Sequence, residues 1–496
     1  MVLSTDSLLK GKNPYDFVNQ PMYLNHYGIV YNYMVIPIHK LIKIIYPAVN
    51  GALILSHRMT SALFIVLSLA LFALVMYAQR HKIIYVYGAV IVQYVSLLLF
   101  STPLSKPDAT GTFLYLLSVF IPWRFNFSAA AVIISIILGI SGFYTKMYFV
   151  IGTVIVISYV VLFISKKTGL IYAAYFGVSF IVSALIINYM YESYFYDVLI
   201  LHLYNNPLRI DMMIKQSAWF MLCNFGLVMY LLISLSNNRS YADVFKYFRD
   251  MNFLNMGDPV FANKIDLFSY AALITFLMLE LRLACNASWM TYYFQLFLPF
   301  FLLTVLNIKI DFLKSATLLA ALLSLNIYSS YSFCLYSKLI TPLTFVMDLP
   351  SKRFRSAGLK NHWKFINKLV EANRNVLVSK HFNFVVFNIG GRVYDTGINS
   401  YLDSTIPKSR LLKKFFPANL QQRNKNFVND INNKISEKYF DLLILTYSKG
   451  EGAERIFFIP WYIHDVTLFS SYDKSGHYFS TEQLANYEFM VFTPKK

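Results

Sequence analysis

Cysteine is nearly absent from this chain: Cys223, Cys285 and Cys334 are all it has, and each lies in or beside an apolar run. They share no short spacing, which excludes a disulfide framework or a thiolate metal cluster and leaves them as small buried hydrophobes. Charge is scarce too. Charged residues are 14% of the 496, where soluble domains carry about 25%. Hydrophobic residues are 57% and mean hydropathy is +0.49. A water-soluble fold of this size could not use so much apolar surface without exposing it, so the alternative solvent is lipid. Acidic residues are the rarer sign, 25 Asp and Glu against 44 Lys and Arg, for a net charge of +19. The cations are not gathered on one compact basic domain, which argues against a nucleic-acid partner. They sit between apolar runs and in the C-terminal part, where they set topology and meet anionic headgroups or phosphate-bearing substrates. Also missing are an internal repeat, an acidic D-x-D pair to hold a metal, and the glycine-rich, zinc-protease and nucleophile-elbow signatures. The first 30 residues are polar and aromatic and carry no signal-peptide pattern.

What is present is a series of apolar runs. Those long enough, or nearly so, to span a bilayer are Thr60–Ala78, Ile83–Ser101, Gly111–Trp123, Asn126–Phe143, Tyr148–Ser165, Leu170–Met190, Ser217–Ser236, Ile265–Leu283, Trp289–Ile308 and Phe312–Cys334. The fold class expected is an α-helical polytopic membrane protein of about ten transmembrane helices with a small C-terminal α/β domain. Loops at 80–82, 123–125, 166–168, 237–264 and 309–314 hold about eleven Lys and Arg. The opposite short loops, including 101–110, 143–147 and 191–215, hold about four. The positive-inside rule puts the first set in the cytoplasm, and residues 1–57 and the C-terminal domain outside it.

The expected organisation is therefore an outer segment at 1–57, a membrane domain at 58–350 and a soluble outer domain at 351–496. In the first, Met34–Ile45 combines apolar residues with His39, Lys40 and Lys43, the pattern of a helix lying in the membrane interface. In the last, Trp363, Ile366, Leu369 and Val370 share one helix face. Strand-like runs follow at Val376–Ser379, Phe384–Asn388, Asp441–Thr446 and Phe489–Thr493, with Gly390-Gly391 as a turn.

This topology puts the polar clusters on one side of the membrane. They are Gly11–Asp16, the Pro21–Tyr31 segment with His26 and Tyr27, His57-Arg58, the Ser105–Gly111 loop with Asp108, Tyr144-Thr145-Lys146, and a loop with His202, Asn205 and Arg209. Cations can hold a phosphate and a carboxylate can remove a proton from an incoming hydroxyl. Such a set suits a phosphate-linked lipid substrate.

The order of these segments resembles a known family. A G-x-N-P-Y segment, an N-x-Y-G-x-x-Y segment, an interfacial helix, an Arg before a span, a Pro-Asp loop and a Thr-Lys loop occur in that sequence. Later, Cys285–Pro299 precedes a span and a C-terminal domain closes the chain. This looks like the GT-C superfamily of integral membrane glycosyltransferases, near its dolichyl-phosphate-mannose mannosyltransferase-like and aminoarabinose transferase-like members. The resemblance covers most of residues 11–350, and its specificity lies in the order of motifs that are individually weak.

The resemblance implies transfer of a sugar from a polyprenyl-phosphate donor to a lipid, glycan or protein acceptor outside the cytoplasm, with inversion at the anomeric carbon; with no D-x-D pair in the sequence, no cofactor or metal is expected. Membrane-lipid contacts and a place in cell-envelope polysaccharide biosynthesis are expected with it, and a multi-pass location in the inner membrane of a bacterium, with the endoplasmic reticulum as the alternative. Asp6, Asp16 and Asp108 are then the candidate catalytic carboxylates, Asp108 as an organiser of substrate. Arg58 and Lys146 are candidate phosphate-binding cations, and His26, Tyr27, His202, Asn205 and Arg209 further substrate-binding residues. The family places a helix and the base carboxylate upstream of the G-x-x-P-Y segment, so this sequence is expected to lack its first helix.

Each of these residues has a blander reading. Asp108 is a solvated loop acid, and Arg58 and Lys146 snorkel to headgroups. Glu280 and Arg282, near the outer end of a span, sit where ionisable groups are functional by default unless they reach water. The rival functions are a transporter or flippase of lipid-linked sugars, a membrane polysaccharide polymerase, and a non-catalytic relative.

Overall fold

The computed structural model describes residues 2–15, 27–47, 52–100, 106–191, 194–195, 198, 210–237, 266–283, 292–307, 319, 321–329, 365–379, 385–386, 391, 393–394, 420–447, 463–479 and 488–495. Helices dominate, with a small sheet at the C-terminal end. In chain order they begin with α1 (Val2–Leu9), α2 (Ile29–Ile45), α3 (Ala52–Ala78), α4 (Ile83–Phe100), α5 (Asp108–Arg124) and α6 (Ala129–Phe143). A tight turn, Met147–Val150, leads into α7 (Ile151–Tyr159), which widens into a π turn, Val160–Ile164. Then come α8 (Lys166–Met190), α9 (Ile210–Cys223), α10 (Phe225–Asn237), α11 (Leu267–Met278) with a π turn Leu279–Leu283, and a π turn Tyr293–Phe297 leading into α12 (Leu298–Asn307).

Among the described residues, three helical stretches are long and apolar enough to cross a membrane: Ala52–Ala78, Met147–Ile164 and Lys166–Met190. Shorter apolar helices cover Ile83–Leu97, Ala129–Phe143, Leu267–Leu281 and Tyr293–Asn307. Only 6% of the most apolar window of α8 is buried, and Leu170, Val178, Ile181, Leu185 and Tyr189 all face outward. An apolar helix exposed along its length is stable in lipid rather than water.

In the helical core α5 packs against α3, α6 and α7. Small residues let them close. A side chain at Gly111 would strike the Phe149 ring, one at Gly152 would strike Ser118 and Tyr115, and one at Gly139 would strike Thr153. Close approach through small residues replaces the hydrophobic force that lipid removes. Aromatic rings fill the remaining space, with Phe300 edge-on to both Tyr115 and Phe120. The direction of α11 follows from its contacts. Phe268 meets Phe120 and Trp123 near the end of α5, and Thr275, two turns further along α11, bonds Tyr115 at the middle of α5. The two helices are antiparallel, so the π turn after α11 lies toward the Asp108 end of α5.

The run Ser217–Ser236, expected as one span, is two helices that meet at Asn224. The Asn224 amide donates to the Phe220 carbonyl, and the Asn326 amide reaches the Asn224 side-chain oxygen at 3.5 Å. A short polar side chain that competes for backbone groups in this way bends or interrupts a helix.

The C-terminal sheet has β1 (Val376–Val378), β2 (Leu442–Tyr447), β3 (Tyr472–Phe479) and β4 (Glu488–Pro494) in the order β1-β2-β4-β3. β1 and β2 are parallel and the other pairs antiparallel. Alternation on β2 explains its two cores. Leu443 and Leu445 pack with Ile431 and Phe427 of α13 (Leu420–Ser436) and with Leu468 of α14 (Asp465–Ser471). Leu442 and Ile444 pack on the opposite face with Ile366 and Val370, the helical pair expected there. Leu3 of α1 packs against this second cluster, joining the two ends of the chain. One expectation fails: Val385 and Val386 form a helical turn, not a strand, and the Gly391 amide closes onto the Val386 carbonyl. Their burial among Val376, Val378 and Val393 overrides β-branched propensity.

Candidate functional site

The site begins with the backbone. Gly28 and Val30, entering α2, donate to the carbonyls of Thr145 and Tyr144 in the turn between α6 and α7. A Cβ on Gly28 would lie 1.9 Å from the Tyr144 carbonyl oxygen, so only glycine permits the approach. The clamp fixes Lys146, the next residue of the turn, against the chain at Tyr27.

Lys146 Nζ donates to Asp108 Oδ1 at 2.9 Å, and the two side chains are 12% and 7% exposed. Asp108 opens α5, where the helix dipole also favours a negative charge. The Lys146 ammonium faces two rings, Tyr27 at 5.4 Å and Tyr292 at 4.9 Å from their centroids. Tyr148 meets Tyr292 edge-on. Burial opposes both charges, but the pair wins. Lys146 and Lys106 hold the Asp108 carboxyl below its ordinary range, and Asp108 and the neighbouring tyrosines hold the Lys146 ammonium above its own. Asp108 Oδ2 is buried and has no partner among the described residues; the same is true of Thr110 Oγ1, two residues on.

A second set of buried polar groups runs up to this pair. Thr5 Oγ1 lies 3.0 Å from both Asn32 Oδ1 and His57 Nε2. The Thr5 hydroxyl donates to the amide oxygen and meets the imidazole edge of His57. The Tyr31 hydroxyl donates to the His57 carbonyl at 3.2 Å and lies 3.3 Å from His57 Nδ1. Ser61 lies 3.3 Å from the same hydroxyl and donates to the Lys106 carbonyl. Burial pushes the Tyr31 phenol up, keeping it a neutral donor. The row thus links α1, α2 and α3 to the segment that carries Asp108.

The structure brings together Asp108, Lys146 and Tyr27 of the residues expected in the site. The solvated reading of Asp108 is wrong: the residue is 5% exposed because α5 starts there and Lys146 covers it. Lys146 does not snorkel; it is held inside by the carboxylate and the rings. Arg58 is partly buried on α3, one residue after His57. Asp6 forms an i,i+4 ion pair with Lys10 on α1. Asp16, His26, His202, Asn205 and Arg209 lie outside the described residues. Thr5 and Asn32 carry no signal in the sequence, and Tyr31 and Tyr292 only as members of the Pro21–Tyr31 and Cys285–Pro299 segments, where nothing ranks one ring above another. Among the described residues, no three His, Cys, Asp or Glu side chains converge to hold a metal ion. Compared with protein-family models, curated proteins and solved structures, the chain matches none.

Proposed function

We propose that the chain is a polytopic membrane glycosyltransferase that takes a sugar from a polyprenyl-phosphate donor at the end of the helices where Asp108 and Lys146 meet. One observation carries the reading: a buried ion pair whose carboxylate keeps one oxygen without a partner among the described residues, beside a cation walled by aromatic rings. A buried charged oxygen without a donor is costly, and a substrate hydroxyl supplies one. Lys146 is the cation for the donor phosphate and Asp108 the organiser of a sugar hydroxyl. Tyr27 and Tyr292 give the isoprenoid an apolar approach.

Support also comes from the sites of convergence. Segments assigned to the outer face by the distribution of Lys and Arg meet one another: 5 with 57, 61 with 106, 28 with 145 and 108 with 146. Leu3 meets the C-terminal sheet, assigned to the same face. On this reading the protein sits in the inner membrane with its C-terminal domain outside the cytoplasm.

The test is binding of decaprenyl phosphate to the purified protein in lipid nanodiscs. Wild type is expected to bind it, and Lys146→Gln to bind at least tenfold more weakly, the effect of about one lost charge-assisted hydrogen bond. Equal affinity in the two proteins would sink the assignment of Lys146.

A further inference from the structure

The second half of the helical region holds a polar cluster outside the site described above. Glu280 lies in the π turn Leu279–Leu283, and Tyr293 opens the π turn Tyr293–Phe297. The Tyr293 hydroxyl donates to Glu280 Oε1 at 2.5 Å, and Ser217 Oγ of α9 lies 2.8 Å from that same oxygen and 2.8 Å from the Tyr293 hydroxyl. Phe220, one turn after Ser217, stacks on the Tyr293 ring at 5.2 Å. π turns carry one residue more than the α-helix needs, and they collect at functional sites. Here two of them face each other, and an ionisable group sits between apolar helices, where such groups are functional by default.

The position ties the cluster to Lys146. Tyr292 and Tyr293 are consecutive, and the first ring faces the Lys146 ammonium while the second binds Glu280. The antiparallel course of α11 and α5 puts Glu280 toward the Asp108 end. The chemistry is that of hydroxyl recognition. Glu280 Oε1 is already surrounded by two alcohol groups, an aliphatic one and a phenol, and an aromatic stack forms the adjoining wall. A carboxylate beside aromatic faces is what a sugar ring needs: charge-assisted bonds to its hydroxyls and contact for its C–H faces.

We infer that Glu280, with Ser217 and Tyr293, forms a carbohydrate subsite next to the Lys146 cage, in which sugar hydroxyls replace the side-chain hydroxyls on the carboxylate. Its placement beside the donor phosphate rests on the reading of Lys146 given above; the carbohydrate site itself does not.

The experiment measures two ligands on the same protein in nanodiscs: a panel of decyl glycosides (glucoside, mannoside, galactoside) and decaprenyl phosphate. Wild type is expected to bind at least one glycoside. Glu280→Gln and Tyr293→Phe are expected to weaken that binding about tenfold or more, with decaprenyl phosphate binding unchanged, which also shows that the variants are folded. Lys146→Gln is expected to do the reverse. Absence of glycoside binding by wild type, or equal glycoside affinity in Glu280→Gln, overturns the subsite. Glycoside binding that depends on Glu280 in a protein that binds no decaprenyl phosphate supports the subsite and overturns the transferase reading instead.

Discussion

The Lys146 ammonium lies 2.9 Å from Oδ1 of Asp108, while Oδ2 of the same carboxylate is buried with no partner among the described residues. The charges compensate each other, yet the hydrogen bonding is incomplete. Removing either partner alone strands the other. Lys146→Met and Asp108→Asn are each expected to cost about 3–5 kcal/mol, and the double variant distinctly less than their sum. Thermal unfolding of the four proteins in one detergent gives the coupling. Additive losses would mean that the pair is not formed.

The pH dependence follows from the same pair. Asp108 titrates below its ordinary value, so its contribution is present above the usual carboxylate range and lost as pH falls through the lowered value. Lys146 titrates above its ordinary value, so its contribution is present below the usual ammonium range and lost as pH rises through the raised value. Between about pH 5 and 9 neither group changes charge. Melting temperature is therefore expected to show no step from this pair in that window, and Asp108→Asn to flatten the acid limb below it. A wild-type step between pH 5 and 9 that disappears in Asp108→Asn would contradict the assignment.

Much of this was legible in the sequence, and the parts that were not share a cause. Asp108 and Lys146 stood out because a Pro-Asp loop and a Thr-Lys loop are conspicuous between apolar runs. Their pairing did not, because no periodicity links residues on different helices; the Gly28 contact that brings the turn inward is a tertiary fact. The apolar pattern places the start of α3 at Thr60, since His57 and Arg58 interrupt it, but the helix begins at Ala52 and buries that histidine against Thr5. On the sheet, Asp473, Lys474 and Gly476 break the alternation that would mark β3 as a strand, and the structure has a bulge at that point. In α13, Phe427, Ile431 and Ile435 show a helical period, a weak signal among so many polar residues.

Gly28→Ala tests the clamp. Its Cβ would overlap the backbone of Tyr144, which cannot swing aside as a side chain could. A loss of about 1–3 kcal/mol is expected from overpacking, with faster hydrogen exchange at the Gly28 and Val30 amides. Unchanged exchange there would mean that the two segments do not touch.

In the C-terminal sheet, the Tyr472 hydroxyl accepts from the Phe440 amide and donates to the Phe440 carbonyl, at 3.1 and 2.8 Å. Tyr472→Phe strips both partners inside the core. The expected cost is about 1–3 kcal/mol, read in the full-length chain as lost exchange protection at the Phe440 amide. Retained protection would show that this amide is held by something else.

The most direct measurement is donor turnover. Purified protein in nanodiscs is incubated with a set of polyprenyl-phosphate-linked sugars and a cell-envelope extract as acceptor source, and free polyprenyl phosphate is quantified by mass spectrometry. Wild type is expected to release it from at least one donor, with a loss of about a hundredfold or more, roughly 2.7 kcal/mol of transition-state stabilisation, in both Lys146→Gln and Asp108→Asn. Release that is unaffected by these substitutions, or a folded wild-type protein that releases it from none of the donors, would contradict the transferase reading.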